Sequence, residues 1–221
     1  KTNDENEILK NYLKAQEYIN QKAPLILLKT HSSLFGINEF KFTNLDNSLG
    51  AIYIIRDPRN VVTSFSNHFN LDLNESAKKI ISNSVLGEST DKKVPTYILS
   101  WKNHYESWKL FKKNKKYLLV KYEELVENPR EILVKMLNFI FKLSNNKSDI
   151  DFKKVDNVIS STSLKKLKQL ENDSGFEEKP KKMKSDFFRL GSKNKWQNLL
   201  DKDVEELITS EFKKELQELD Y

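Results

Sequence analysis

The chain has 221 residues, a formal net charge of +6 and 32% charged side chains, enough for one α/β domain with a buried core and a mixed, moderately basic surface. It lacks cysteine, and its three histidines (His31, His68, His104) have no ligand spacing, so disulfides, thiol chemistry and thiolate metal sites are excluded and no metal is expected. No apolar run approaches membrane-spanning length and no secretory signal is visible, so the sequence reads as a soluble, cytoplasmic protein.

In chain order, residues 4–21 place Ile8, Leu9, Tyr12, Leu13 and Ile19 on one stripe and predict an amphipathic helix. Pro24 follows, and Leu25-Ile26-Leu27-Leu28 reads as a short buried strand running into Lys29-Thr30-His31 and a loop through Ser32, Ser33 and Gly36. Ala51-Ile52-Tyr53-Ile54-Ile55 reads as a second buried strand, because no polar face interrupts it. Asp57-Pro58 then signals a helix start, a carboxylate cap before a ring whose φ suits the first turn. Asn74 or Asp72 is set to cap a helix over 75–86, and a longer one is predicted over 95–114 from Ile98, Trp101, Tyr105, Trp108 and Phe111. Those aromatics are read as core.

Tyr117 to Val120 forms a third strand, and Asn128-Pro129 starts a helix with Ile132, Leu133, Met136, Leu137 and Ile140 on its inner side. Residues 149–172 read as helical with a break near Ser160 to Ser163, and 173–198 as a loop bearing glycine and lysine. A last amphipathic helix over 201–219 carries Val204, Leu207, Ile208, Phe212, Leu216 and Leu219. Strands alternating with helices predict a central parallel sheet flanked by helices, and no Gly/Ser/Pro-rich linker divides residues 1–221 into separate domains.

Arg56 stands where a strand ends and a helix begins, the usual ligand edge of an open α/β sheet. Ser64 returns to roughly the same side two helical turns later. Guanidinium, hydroxyl and helix dipole together suit a phosphate. The alternative is an Arg56 paired with a nearby carboxylate and a Ser64 that only packs. The run Lys179, Lys181, Lys182, Lys184 follows Glu177 and Glu178 directly and reads as a solvated loop, so no nucleic-acid partner is expected.

Several of these stretches, in this order, resemble the sulfotransferases that use 3′-phosphoadenosine 5′-phosphosulfate (PAPS), in particular the small-molecule branch with a strand-ending Lys-Thr-His, here Lys29-Thr30-His31. The resemblance runs from about Leu25 to Leu200. It implies the P-loop NTPase-like sulfotransferase fold, with Arg56 and Ser64 of the segment Ile54 to Ser64 on the nucleotide's 3′-phosphate. Val120-Lys121-Tyr122-Glu123-Glu124-Leu125 resembles the strand end whose tyrosine lies beside the adenine, hence Tyr122. Thr162-Ser163-Leu164 resembles a second adenine contact, with leucine where the family usually has phenylalanine. Phe187-Phe188-Arg189-Leu190-Gly191, with Trp196 downstream, resembles the Arg-x-Gly…Trp loop and implies that Arg189, Leu190 and Gly191 close over the 3′-phosphate. Leu190, Asn194 and Lys195 stand where the family has Lys and Gly-Asp, which predicts a weaker or differently aimed lid.

Under this resemblance His31 is the general base and Lys29, two residues earlier, offsets charge on the sulfuryl group or bridging oxygen. The implied co-substrate is PAPS and the product 3′-phosphoadenosine 5′-phosphate (PAP), with no metal. The acceptor is a hydroxyl or amine of a small molecule or carbohydrate, and the oligomeric state is left open. The family's N-terminal strand and Pro-Lys-Ser-Gly-Thr-Thr-Trp-type loop, which cradles the 5′-phosphosulfate, has no counterpart here. Only 28 residues precede Lys29 and residue 1 is Lys, so the chain is expected to be an N-terminally incomplete fragment of a longer protein. The alternative is a non-catalytic nucleotide-binding or interaction module on the same fold.

Overall fold

The computed structural model describes residues 4–37, 39–86, 94–180 and 183–221. Helix α1 (Glu5–Asn20) starts where the Asp4 side chain accepts from Asn6 N–H at 2.9 Å, satisfying one of the free donors of the first turn. Ile8 and Leu9 are its buried residues. Tyr12 stands edge-on to Phe42 with ring centres 5.3 Å apart, and the Gln16 amide donates to the Phe42 carbonyl at 2.6 Å. These contacts seat the small hairpin of β1 (Gly36–Ile37) and β2 (Phe40–Lys41) against the helix.

Leu25 to Leu28 does not form the expected strand. The run is irregular, with Leu27 72% and Leu28 61% exposed. A continuous apolar run becomes a strand only where a sheet edge receives its N–H and C=O groups, and among the described residues no strand pairs with it.

The parallel element lies further on. Strand β3 (Ala51–Ile55) leads into α2 (Pro58–Phe69), with Asp57 as cap and Pro58 in the first turn, as expected. Asp72 caps α3 (Leu73–Ile81) in a reciprocal capping box with Glu75. That helix is shorter than the predicted 75–86. The hydroxyls of Ser82 and Ser84 bond the Lys79 carbonyl in its place, and β4 (Val85–Leu86) pairs antiparallel with β5 (Thr96–Tyr97). Ser100 then caps α4 (Trp101–Trp108), so the helix predicted from 95 begins later, and its tail over Lys109–Asn114 is 3₁₀. Strand β6 (Tyr117–Lys121) lies parallel to β3 in the register Ala51↔Tyr117 to Ile55↔Lys121. A side chain on Gly50 would put its Cβ 2.8 Å from the Lys116 carbonyl oxygen, so the two strand starts approach this closely only with glycine there.

The two-strand sheet leaves β3 more open than its sequence suggested: only Ile55 is buried, and Ile54 is exposed. Helices α5 (Tyr122–Glu127) and α6 (Pro129–Leu143) follow β6, then α7 (Phe152–Ser161) and α8 (Leu164–Ser174), which break at Thr162 and Ser163 as predicted. Residues 175–180 and 183–201 are loop with 3₁₀ turns at Gly191–Lys193 and Trp196–Asn198. The last predicted helix is two, α9 (Lys202–Glu211) and α10 (Lys213–Glu218), bent at the fully buried Phe212. Phe212 belongs to the main core with Val62, Ala77, Ile80, Val204, Ile208 and Leu216. This core fixes the buried side of α2, the helix that carries Ser64, against α3 and α9.

Candidate functional site

The parallel register sets the geometry of the site. Because Ile55 faces Lys121, the next residues of each chain, Arg56 and Tyr122, emerge side by side at the carboxyl ends of β3 and β6. The Arg56 guanidinium lies over the Tyr122 ring, 4.5 Å from its centre, and Nη1 donates to Ser64 Oγ at 2.9 Å. The Trp101 indole N–H donates to the Arg56 carbonyl at 3.1 Å and fixes the main chain at the turn.

The two carboxylates near Arg56 are engaged elsewhere. Asp57 caps Arg59 N–H at 2.9 Å and takes the Arg59 side chain in a two-pronged pair, Nη2 to Oδ2 at 2.8 Å. Glu123 accepts from Asp57 N–H at 3.2 Å and from the Tyr221 hydroxyl at 2.9 Å. Among the described residues Arg56 therefore has no ion pair within 4 Å, and its Nε is buried without a hydrogen-bond partner. Burial lowers the Arg56 pKa, with Tyr122, Glu123 and Asp57 opposing, but an arginine starts so high that it stays charged. A half-buried cation with hydroxyl and aromatic neighbours and no counter-ion is a site for an anion.

A cleft of about 480 Å³ opens over this pair, lined by Arg56, Ser64, Tyr122, Leu164, Arg189, Leu190 and Gly191, together with His68, Phe187 and Asn194. Seven of the residues singled out from sequence are thus brought together. Gly191 sits at φ +54°, and a Cβ there would meet Leu164 Cδ2 at 2.6 Å, so the loop folds onto the start of α8 only with glycine. Thr162 and Ser163 do not line the cleft; their hydroxyls donate to the Val158 and Ser160 carbonyls at 2.7 and 2.9 Å.

Four residues that sequence reasoning gave no role, Asn60, His68, Glu171 and Asn194, surround the cleft or brace it. Asn194, read as a departure from the family pattern, is buried. Its Nδ2 donates to Ser64 Oγ at 2.9 Å and its Oδ1 accepts from Thr63 Oγ1 at 2.8 Å, while Asn60 Oδ1 takes Trp196 N–H at 2.9 Å. The lid is therefore aimed by amides bonded to α2, with Trp196 stacked under Arg59 at 4.2 Å. Glu171 of α8 accepts the N–H groups of Phe187 and Phe188 at 2.7 and 2.9 Å and pairs with Lys179 at 3.0 Å. Burial pushes the Glu171 carboxyl up, but the two N–H groups and Lys179 more than reverse this and hold it below the usual range. His68, one turn after Ser64, faces the Phe187 ring edge-on at 5.7 Å. Burial, and then His31, lower its pKa, with Glu178 opposing. A chain rich in Asn and Glu gives no pattern by which Asn194 or Glu171 stands out.

Lys29 and His31 lie outside the cleft lining. Lys29 Nζ is 2.5 Å from Glu178 Oε1 and His31 Nε2 is 4.0 Å from Glu178 Oε2, with both side chains more than 60% exposed. The His31 carbonyl accepts from His104 Nε2 at 3.3 Å, and His104 Nδ1 is 2.8 Å from the Tyr53 hydroxyl. Among the described residues no cluster of His, Asp or Glu could hold a metal ion, and no helix is long and apolar enough to cross a membrane.

Among solved structures, the fold is similar to mouse sulfotransferase SULT7A1 in complex with PAP (21% identity, TM-score 0.50, covering 75% of this chain and 59% of that one). It is also similar to retinol dehydratase in complex with androsterone and the inactive cofactor PAP (15% identity, TM-score 0.52, covering 96% of this chain and 64% of that one). Sulfotransferase 1A1 of Rattus norvegicus is 28% identical over 147 residues and that of Mus musculus 27% over 143, each match covering 65% of this chain. The chain spans about half the length of these curated relatives, the matched region being 45% of each. The family model described as "Sulfotransferase domain" matches residues 7–220, and with the parallel strand pair and its ligand edge already placed, the chain belongs to the sulfotransferase domain family.

Proposed function

We propose that this chain carries the 3′-phosphoadenosine-binding part of a PAPS-dependent sulfotransferase, which moves a sulfuryl group from PAPS to a hydroxyl or amine of a small molecule or carbohydrate. The observation that carries it is the half-buried Arg56, bonded to Ser64 at 2.9 Å over the cleft and, among the described residues, in no ion pair. In this reading the 3′-phosphate lies against Arg56 and Ser64 beside the helix α2 N-terminal half, whose dipole adds to the attraction. Tyr122 and Leu164 flank the adenine, Thr162 and Ser163 shape the turn beside it, and Arg189, Leu190 and Gly191 close the phosphate side.

The chemistry assigned to the chain's own residues is proton and charge handling. A neutral His31 imidazole takes the proton of the acceptor hydroxyl as the oxygen attacks sulfur, and Lys29 offsets charge on the departing side. In-line positioning supplies most of the rest, as in phosphoryl transfer. A second reading, a nucleotide-binding module without turnover, is favoured by Lys29 being engaged by Glu178 at 2.5 Å.

Calorimetry with PAP against adenosine 5′-monophosphate, on wild type and Arg56→Ala, tests the nucleotide site. Preference for the bisphosphate, lost in the variant, supports it, and equal affinity for the two nucleotides in wild type overturns it. PAPS-dependent sulfation of a phenol, lost in His31→Ala while PAP still binds, separates the enzyme from the binding module.

A further inference from the structure

The 31–34 segment has no sheet partner among the described residues, yet each of its residues is tied through its main chain. Ser33 N–H donates to the Tyr97 carbonyl at 2.8 Å, Leu34 N–H to Ser107 Oγ at 2.9 Å, and the Ser32 carbonyl accepts from Trp108 Nε1 at 3.1 Å. The His31 carbonyl takes His104 Nε2 at 3.3 Å. His104, Ser107 and Trp108 are spaced i, i+3, i+4 and so share one face of α4. One helix face thus stands in for a neighbouring strand.

His104 differs from the other two because its bond ends on His31 itself and its second nitrogen is also held. A carbonyl oxygen only accepts, so Nε2 carries the hydrogen; in a neutral ring Nδ1 is then bare, and the Tyr53 hydroxyl donates to it at 2.8 Å. Burial holds the imidazole below the ordinary histidine range against the opposing pull of the His31 carbonyl, so this neutral form is the one present at pH 7. Tyr53 belongs to β3, the strand that ends at Arg56. The bonded series Tyr53, His104, His31 therefore joins the strand carrying the anion cleft to the segment carrying the base.

We propose that His104 is a positioning residue for sulfuryl transfer: its Nε2–H, oriented by Tyr53, anchors the His31 main chain to α4 and so fixes where the His31 imidazole points. This rests on the proposed role of His31 as general base. The position matters because catalysis by a base falls steeply with small displacements, a shift of about 1 Å being able to lower rate on the order of 100-fold.

The test compares His104→Phe, which keeps the ring volume without a donor, with His104→Gln, whose side-chain amide N–H takes the place of Nε2–H. Amide hydrogen exchange of Ser32, Ser33 and Leu34 reads the anchor without any turnover. His104→Phe is expected to speed it about fivefold, the equivalent of one lost hydrogen bond, and His104→Gln to restore it to within about twofold of wild type. In the sulfation assay kcat falls about tenfold in His104→Phe with KM for PAPS unchanged, and recovers in His104→Gln. If His104→Phe does not fold, Tyr53→Phe, which frees the His104 tautomer, decides by the same exchange measurement. Wild-type exchange in the donor-less variant, or a His104→Gln no better than His104→Phe, overturns the anchor. Faster exchange in His104→Phe with an unchanged kcat in His31→Ala overturns the base assignment instead, and leaves the anchor standing.

Discussion

The two parts of the proposed site are built differently. At the ends of β3 and β6 the functional groups are half-buried or buried and multiply bonded through their side chains: Arg56 on Ser64 and Tyr122, Ser64 on Asn194, Asn194 on Thr63. At Lys29 and His31 the side chains are exposed, their one common partner is the carboxylate of Glu178, and the order of the segment comes from its main chain on α4. A phosphate seat has to be preorganised, because its affinity depends on donors already in place and desolvated. A base and a charge-offsetting lysine meet their reacting atoms only when substrate is bound, so main-chain anchoring is enough to place them.

The largest expected effect comes from breaking the first part at its centre. Arg56→Ala removes the half-buried guanidinium at the centre of the cleft, and PAP affinity is expected to fall by about 100-fold or more, charge-assisted hydrogen bonds being worth roughly 1.5–3 kcal/mol each. Arg56→Lys keeps the charge but loses the planar fork and the stacking on Tyr122, and should recover only part of that loss. Titration calorimetry checks both. If Arg56→Ala binds PAP like wild type while His31→Ala does not, the two parts have been assigned the wrong way round.

That centre is also where the sequence was most legible. A run of five β-prone residues, a helix cap and a proline placed Arg56 at a strand end, and the residues beyond followed from helical spacing. The cap at Asp57 and the break at Thr162 were readable for the same reason, since each is decided by neighbours close in the chain. The parallel pairing of Ala51 with Tyr117 was readable instead from the alternation of strands and helices. Leu25 to Leu28 was misread because an apolar run says nothing about whether a partner strand exists to receive it. The bonds of Asn194 were not legible because they reach α2 across 130 residues of chain. The lid it secures has ordinary composition and takes its shape from long-range amide and carboxylate bonds, which leave no periodic trace.

Within the cleft, Asn194→Ala should be next in size. It unties the lid from Ser64 and leaves the Thr63 hydroxyl only the Asn60 carbonyl at 2.8 Å, and each hydrogen bond lost costs about 0.5–1.5 kcal/mol. A drop of several degrees in Tm together with about tenfold weaker PAP binding is expected, whereas a stable variant with intact binding would mean the lid is held elsewhere. Glu171→Gln sharpens the same point through pH. The folded-state carboxyl lies below its ordinary value, so the stability it adds is present above the unfolded glutamate pKa of about 4.3 and is lost as pH falls through the lower folded value. Wild type should exceed Glu171→Gln in Tm at pH 7, and the gap should close in acid. A gap that is constant with pH would place the effect in packing instead of charge.

The smallest effect, and the sharpest contrast with Arg56, is expected at Glu178. Lys29, bonded to it at 2.5 Å, holds its carboxyl below the usual range against a burial contribution that pushes it up. Both side chains are about half exposed or more, however, and solvent screens such a pair to about 0–1 kcal/mol. Glu178→Gln should therefore leave Tm at pH 7 almost unchanged, and the little that is lost should be what wild type itself loses as pH falls through the folded carboxyl value or as salt is added. Function should respond in the opposite direction to stability. With its carboxylate partner gone, Lys29 is free to face an incoming sulfate, and PAPS should bind a few-fold tighter at low salt while PAP, which lacks the sulfuryl group, binds as before. Equal tightening for PAPS and PAP would mean that Glu178 acts on the nucleotide end of the cleft. A marked fall in Tm would mean that the Lys29 to His31 segment is secured by its side chains after all, and the contrast between the two parts of the site would disappear.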